Sequence, residues 1–289
     1  MISHPAIRIG TCASLRSQPG LSRLLEIMSR ESHGASSGVS PNFLIILDLP
    51  GGAVACLEAV VDSERIAKVG PIVSEVSDLD RPQRHALWQA GIDWARSSHA
   101  AAIQILCDPH SDDCDVLESL GMPRTTEILA LRLAPAQNIS PSEADPAIRV
   151  AASETEFPAI VDLVARTLVD SLDIPEAIPL RSPELMYRSW TEDAASDVPW
   201  TLMAETSDGL CGLLVAGQQG DTVEIFSLGV TPEHRRQGWG SRLLRELLRT
   251  TGGCPVSTFV DSRNLPAITL YERFGFREEL RIPLVFHRF

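Results

Sequence analysis

The chain repeats itself, and that repeat constrains the fold more than any single motif. "PAIRIG" at residues 5–10 returns as "PAIRVA" at 146–151. Each copy runs on into an apolar-patterned helix, "LSRLLEIM" from Leu21 and "FPAIVDLVARTLV" from Phe157. A hairpin-like pair of apolar runs follows, around Gly51 and Gly52 in "NFLIILDLPGGAVACLEAVV" and around Gly209 in "WTLMAETSDGLCGLLVAG". Each half then has a helix ("HALWQAGIDWA", "SRLLRELLRT"), a strand ("AAIQILC", "PVSTFV") and a short helix closing on "ESLGM" or "ERFGF". The repeat predicts two tandem domains of one mixed α/β (α+β) build.

"APAQNISPSEADPAI", from Ala134, holds three prolines and no apolar period, so it reads as a linker. The expected division is 1–135, a linker over 136–146, and a second domain over 147–289. The register drifts between copies: Pro5 to Pro146 is an offset of 141, whereas Gly121 to Gly275 is 154. About 13 extra residues therefore enter the second copy before Cys211, and "SLDIPEAIPLRSPELMYRSW" at 171–190 is the candidate segment. An extra loop in one copy is either a place for specific function or a drifting surface loop.

At 289 residues there is length for two ordinary domains, and no apolar run reaches membrane-spanning length. The chain reads as cytoplasmic, with its six cysteines (12, 56, 107, 114, 211, 254) reduced. "CDPHSDDC" at 107–114 matches no familiar zinc spacing, so no metal is expected. A formal net charge of −13 argues against nucleic acid as a partner. Against that background residues 231–250 hold five arginines (235, 236, 242, 245, 249) and two glutamates, a local excess of +3.

That basic stretch is "SLGVTPEHRRQGWGSRLLRELL", residues 227–248, where an apolar segment passes through glycines 238 and 240 into an apolar-striped helix. No Gly-Lys-Ser/Thr follows, so it is not a Walker loop, and it lacks the three-glycine spacing of a dinucleotide fold. What remains is Arg-x-x-Gly-x-Gly at a strand-to-helix junction. The first turn of a helix offers unpaired backbone N–H groups and a positive dipole end, and glycine lets a ligand come close. A diphosphate suits such a turn.

"V-TPEHRRQGWGSRLL" followed by "DSRNLPAITLYERFGFRE" resembles the GCN5-related N-acetyltransferase (GNAT) superfamily over roughly residues 221–278. The resemblance implies tandem GNAT-like domains, each a central, mostly antiparallel twisted sheet flanked by helices. It implies acetyl-CoA or another acyl-CoA as co-substrate and an amine of a small molecule or protein as acceptor, with no nucleic acid and no membrane. Arg235, Gly238 and Gly240 would form the pyrophosphate loop, with backbone donors across Arg236, Gln237, Gly238, Trp239, Gly240 and Ser241. The pantetheine arm would lie along the preceding strand, with the thioester near Leu228 and Val230. Asn264 matches a cofactor-contacting asparagine, and Tyr271 a tyrosine that protonates the departing thiolate.

Glu224, fourteen residues before Gly238, matches a family glutamate that serves as base. Strand alternation sets it on one face with Phe226, Leu228 and Val230; it either sits buried there or faces solvent. Other roles have plain alternatives: Asn264 as a helix cap, Tyr271 as a core aromatic, Arg242 and Arg245 as solvated charges, Tyr187 and Trp190 as helix packing. The offset of 154 places Arg84, Ala86, His110 and Leu117 where the second copy has Gly238, Gly240, Asn264 and Tyr271. Leucine carries no donor, so the first copy is expected to keep the fold without the CoA loop. The leading expectation is an acyl-CoA-dependent N-acetyltransferase; the alternatives are a non-catalytic acyl-CoA sensor and, less suited to this charge, an aminoacyl transferase using charged tRNA.

Overall fold

A computed structural model describes residues 7–11, 43–49, 51, 53–76, 79–135, 143–151, 154–192 and 200–289. The helix expected from Leu21, and most of the linker, lie outside the described residues. The chain forms two compact units, Met1–Glu127 with Ile282–Phe289, and Ile128–Arg281.

In the first unit β1 (Ile7–Thr11), β2 (Phe43–Asp48), β3 (Val54–Val61) and β4 (Ile66–Ser74) pair antiparallel in sequence order. Helix α1 (Arg81–Ser97) then crosses to β5 (Ala102–Leu106), which runs parallel to β4, and α2 (Asp113–Ser119) follows. The apolar stripe of α1, Leu87, Trp88, Ile92 and Ala95, joins Ile45, Leu57 and Ile103 in one buried core. A hydrophobic stripe at helical spacing against strand residues at every second position is what an α/β layer requires.

The second unit holds β6 (Thr126–Leu133), β7 (Ile148–Val150), α3 (Phe157–Leu168), α4 (Pro183–Glu192), β8 (Trp200–Thr206), β9 (Gly209–Gln219), β10 (Thr222–Val230), α5 (Trp239–Thr250), β11 (Val256–Asp261) and α6 (Leu265–Arg273), with β12 (Arg277–Arg288) closing the chain. Strands β7 to β10 are antiparallel neighbours, and β11 lies parallel to β10. The sheet is covered on both faces. Leu243, Leu244 and Leu247 of α5 pack with Leu202, Leu214 and Ile225, while Ile160, Leu163 and Val164 of α3 pack with Met203, Leu213 and Val215.

The units do not follow the division expected at 135 and 147. Residues 128–133 of β6 pair with β11 inside the second unit, and residues 284–288 of β12 pair with β5 inside the first. The parallel strand of each unit needs an antiparallel partner on its free edge to satisfy its backbone groups. The chain supplies that partner from a segment remote in sequence, and in the first unit Leu284, Val285 and Phe286 are buried there. Composition cannot show this, because a strand's apolar pattern does not name its neighbour. Among the described residues no helix is long and apolar enough to cross a membrane.

Candidate active site

The site begins at the first turn of α5. Gly238 is its N-cap, at φ +88°, and no side chain caps the turn. Arg242 N–H donates to the Gly238 carbonyl at 3.1 Å, the first bond of the helical ladder. The amides of the turn before it thus have no helical acceptor. Two backbone features hold it open: Arg236 also takes a left-handed conformation (φ +62°), and Gly240 lies so near Leu270 that a Cβ would meet it at 3.2 Å. Such amides, with the dipole behind them, are suited to an anion.

Strands β10 and β11 pair only from Val223↔Val256 to Ile225↔Thr258, and then separate. At that point β10 carries a bulge, with Ile225 opposite Ala216 but Ser227 opposite Val215. The bulge corrects one expectation. Leu228 packs with Val223 and Ile225 on the α5 face, while Phe226 packs with Val215 on the α3 face, so Glu224 and Leu228 lie on opposite faces rather than one. An inserted residue reverses side-chain parity, and strict alternation over 222–230 cannot reveal it.

Two spaces open from this separation. A cleft of about 940 Å³ is lined by Val230, Arg236, Gly238, Trp239, Ser241 and Arg273, among others. A smaller cavity of about 160 Å³ is lined by Asp173, Arg181, Trp190, Phe226 and Val260, among others. They share seven lining residues, among them Thr167, Leu228, Gly229, Asn264 and Tyr271. Close approach of α3 shapes the junction, since a Cβ on Gly229 would meet Thr167 at 2.6 Å.

Tyr271 is 4% exposed and packs against Phe276 with ring centroids 5.2 Å apart. Burial, offset in part by a hydrogen bond with Thr258, pushes its phenol up to about 12. Thr258 Oγ1 also donates to the Ile225 carbonyl at 3.2 Å. At neutral pH Tyr271 is therefore a protonated phenol at the junction of the two spaces. Its core-packing and donor readings coexist.

Other expected residues land differently. Arg235 lines the larger cleft, and its guanidinium donates to the carbonyls of Val230 (3.0 Å) and Thr167 (3.2 Å) and to those of Val169 and Asp170. It ties the C-terminal end of α3 to the end of β10. Gln237 donates to the Glu233 carbonyl at 2.9 Å, and neither Gln237 nor Glu224 lines either space. Glu224 is buried one residue short of the separation. Asn264 caps α6, accepting from Ala267 N–H at 3.3 Å, and lines both spaces. Arg242 forms a two-pronged pair with Asp145 at 2.6 Å and stacks on Trp239 at 4.0 Å, so the local positive excess is partly neutralised. Tyr187 bonds Thr201 at 3.0 Å in the core; Trp190 lines the smaller cavity. Arg235→Met is expected to cost about 1–2 kcal/mol, from the loss of charge-assisted hydrogen bonds at a partly exposed side chain; a thermal melt with and without acetyl-CoA measures it, and an unchanged melt contradicts the anchoring role.

The extra loop at 171–190 contributes what sequence reasoning leaves unassigned. Asp261, fully buried, accepts from Ile174 N–H (3.2 Å) and is gripped by Arg263, which also pairs with Glu176 at 2.6 Å. Arg263 holds the Glu176 carboxyl below its usual range. This clasp fixes the loop against the end of β11. The signal is the "DSRN" run beside a three-proline insertion, but nothing in sequence joins residues 87 apart.

The first unit offers a contrast. There α1 begins at Arg81, so its cap, Asp80, is the counterpart of Gly238, and Arg84 lies inside the first turn of a helix that starts earlier. Asp80 accepts from Gln83 N–H at 2.8 Å and Gln83 returns a bond to Asp80 N–H at 3.0 Å. This capping box occupies the turn and places a carboxylate where an anion would bind. Arg84 and Trp88 both donate to buried Asp113, and Leu117 is fully buried. Cys107 and Cys114 hydrogen-bond each other, and among the described residues no three His, Cys, Asp or Glu side chains gather as metal ligands.

Residues 166–276 match the model of the acetyltransferase (GNAT) family. Two proteins named mycothiol acetyltransferase, from Clavibacter sepedonicus and Clavibacter michiganensis subsp. michiganensis, are 30% and 29% identical over 200 residues, covering 64% of this chain and 58% of each relative. The match thus spans less than two thirds of those relatives. Among solved structures, a GCN5-related N-acetyltransferase from Sphaerobacter thermophilus aligns with TM-score 0.67 at 16% identity, covering 98% of this chain and 95% of that one. A tandem GNAT protein from the clavulanic acid biosynthesis pathway aligns with TM-score 0.59 at 13% identity, covering 98% of both chains. The family match falls across the glycine turn, the separated strands and Tyr271, so residues 166–276 form an acetyltransferase domain of the GNAT family, and the fold of GNAT structures is shared along nearly the whole chain.

Proposed function

We propose that the protein is an N-acetyltransferase that uses acetyl-CoA and passes the acetyl group to the amine of a small molecule by direct attack. The observation that carries this reading is the junction: a buried phenol stands where a cleft that includes an uncapped helix turn meets a smaller cavity. The turn from Arg236 to Ser241 would take the diphosphate on backbone N–H groups. Beyond Ile225 the strand edge of β10 that faces away from β9 has no strand partner among the described residues, which suits an amide-bearing arm such as pantetheine.

Acetyl transfer needs a neutral amine, an aligned thioester and a proton for the departing thiolate. Tyr271 would give its O–H proton to the sulfur. The carbonyl carbon gains the C–N bond as it loses the C–S bond, so the chain supplies positioning and protons and no covalent intermediate. We assign the first unit no CoA site, because Asp80 and Gln83 already occupy its corresponding turn. The family match and the names of the relatives support acetyl transfer. The experiment is thiol release from acetyl-CoA in the presence of a panel of primary amines, with acetylated product identified by mass. Amine-dependent release is expected; acetyl-CoA binding with no release for any amine would instead favour a sensor.

A further inference from the structure

The smaller cavity contains an unspent pair of opposite charges. Asp173 accepts from Asp261 N–H through Oδ1 at 3.1 Å, and no side chain among the described residues reaches its other oxygen. Arg181 lines the same space; its Nε is buried and, among the described residues, without a hydrogen-bond partner. The two feel each other's charge, yet they form no ion pair. A buried guanidinium N–H left unpaired is costly, and it persists where a ligand completes it. Opposite charges lining one small space without pairing are the complement of a molecule with an ammonium at one end and an anion at the other.

We infer that the acceptor is a small primary amine that also carries an anionic group, carboxylate or phosphate, with Arg181 facing the anion and Asp173 receiving the amine's proton. This rests on the acetyltransferase reading and assigns its acceptor. The volume, about 160 Å³, admits a compact head group and not a folded protein surface.

Asp173 fits the base. Asp173 is exposed as a residue, yet desolvation of its carboxyl pushes it up, helped by Asp261; the Asp261 N–H, Arg181 and Arg263 oppose this. Tyr271 also feels its charge. A carboxylate whose pKa is raised takes a proton more readily than an ordinary one. The ammonium gives its proton to Asp173; the freed nitrogen bonds to the thioester carbon; the C–S bond breaks; Tyr271 protonates the sulfur. The nitrogen's second proton passes to solvent, Asp173 then releases its proton to solvent as well, and solvent reprotonates Tyr271.

The test compares acetylation of glycine, β-alanine and glucosamine 6-phosphate with glycinamide, β-alaninamide and glucosamine by the unmodified full chain. At least one anionic amine is expected to exceed its neutral analogue roughly tenfold or more in kcat/KM, and the carboxylate and phosphate arms show which anion is used. Arg181→Gln should abolish that preference, chiefly through KM, with acetyl-CoA affinity unchanged. Asp173→Asn should lower kcat roughly 10²-fold near pH 7, with the loss shrinking as pH rises toward the amine's own pKa. Equal or better use of the neutral amines, or a preference that survives Arg181→Gln, overturns this inference and leaves acetyl transfer standing. Failure of every amine, charged and neutral, overturns both.

Discussion

Gly238→Asp should abolish acetyl-CoA binding while leaving the protein folded, raising Kd by at least about 10²-fold. Gly238 sits at φ +88° with open space where a Cβ would stand, and aspartate is among the few residues that tolerate that backbone. The new carboxylate would cap α5 and stand against the incoming diphosphate. A like charge at about 4 Å costs roughly 4 kcal/mol at the effective dielectric of a protein surface, or on the order of 10³ in affinity. The first unit already has this arrangement, with Asp80 at the same helix position. Gly238→Asn, which caps without the charge, should fall between the two. Calorimetry on folded protein decides it; undiminished binding to Gly238→Asp would remove the turn from the account.

Tyr271→Phe should lower kcat roughly 10²-fold with acetyl-CoA affinity nearly unchanged. The ring is buried against Phe276, so phenylalanine keeps the packing and removes only the hydroxyl. The sign of the titration matters. Burial raises the phenol to about 12, so the donor form persists through neutrality and is lost only as pH rises through that value. The same substitution should remove a phenolate absorbance step centred near 12. Unchanged kcat would leave Tyr271 as a core residue only.

Much of this arrangement is legible in the sequence, and the unreadable parts have physical causes. The glycines at 238 and 240 announce a backbone that must take a positive φ or a close neighbour, and both occur. The helix that carries Tyr271 and its cap at Asn264 follow from the Asn-x-Pro start. Arg235 misleads because an arginine beside an anion turn is expected to face the anion, whereas here backbone carbonyls compete for it. The bulge in β10 leaves no composition trace, so the face of Glu224 relative to Leu228 cannot be read from alternation. Strand partners of β6 and β12 are decided by edge satisfaction across long sequence separations. Asp173 and Arg181 lie inside a segment that stands out in sequence only for its length, and their meaning comes from what they face.

Titration of acetyl-CoA into the full unmodified chain tests the central claim most directly. One site per chain, lost in Gly238→Asp, is the predicted result. Two sites would contradict the blocked turn of the first unit, and no binding would contradict the acetyltransferase reading itself.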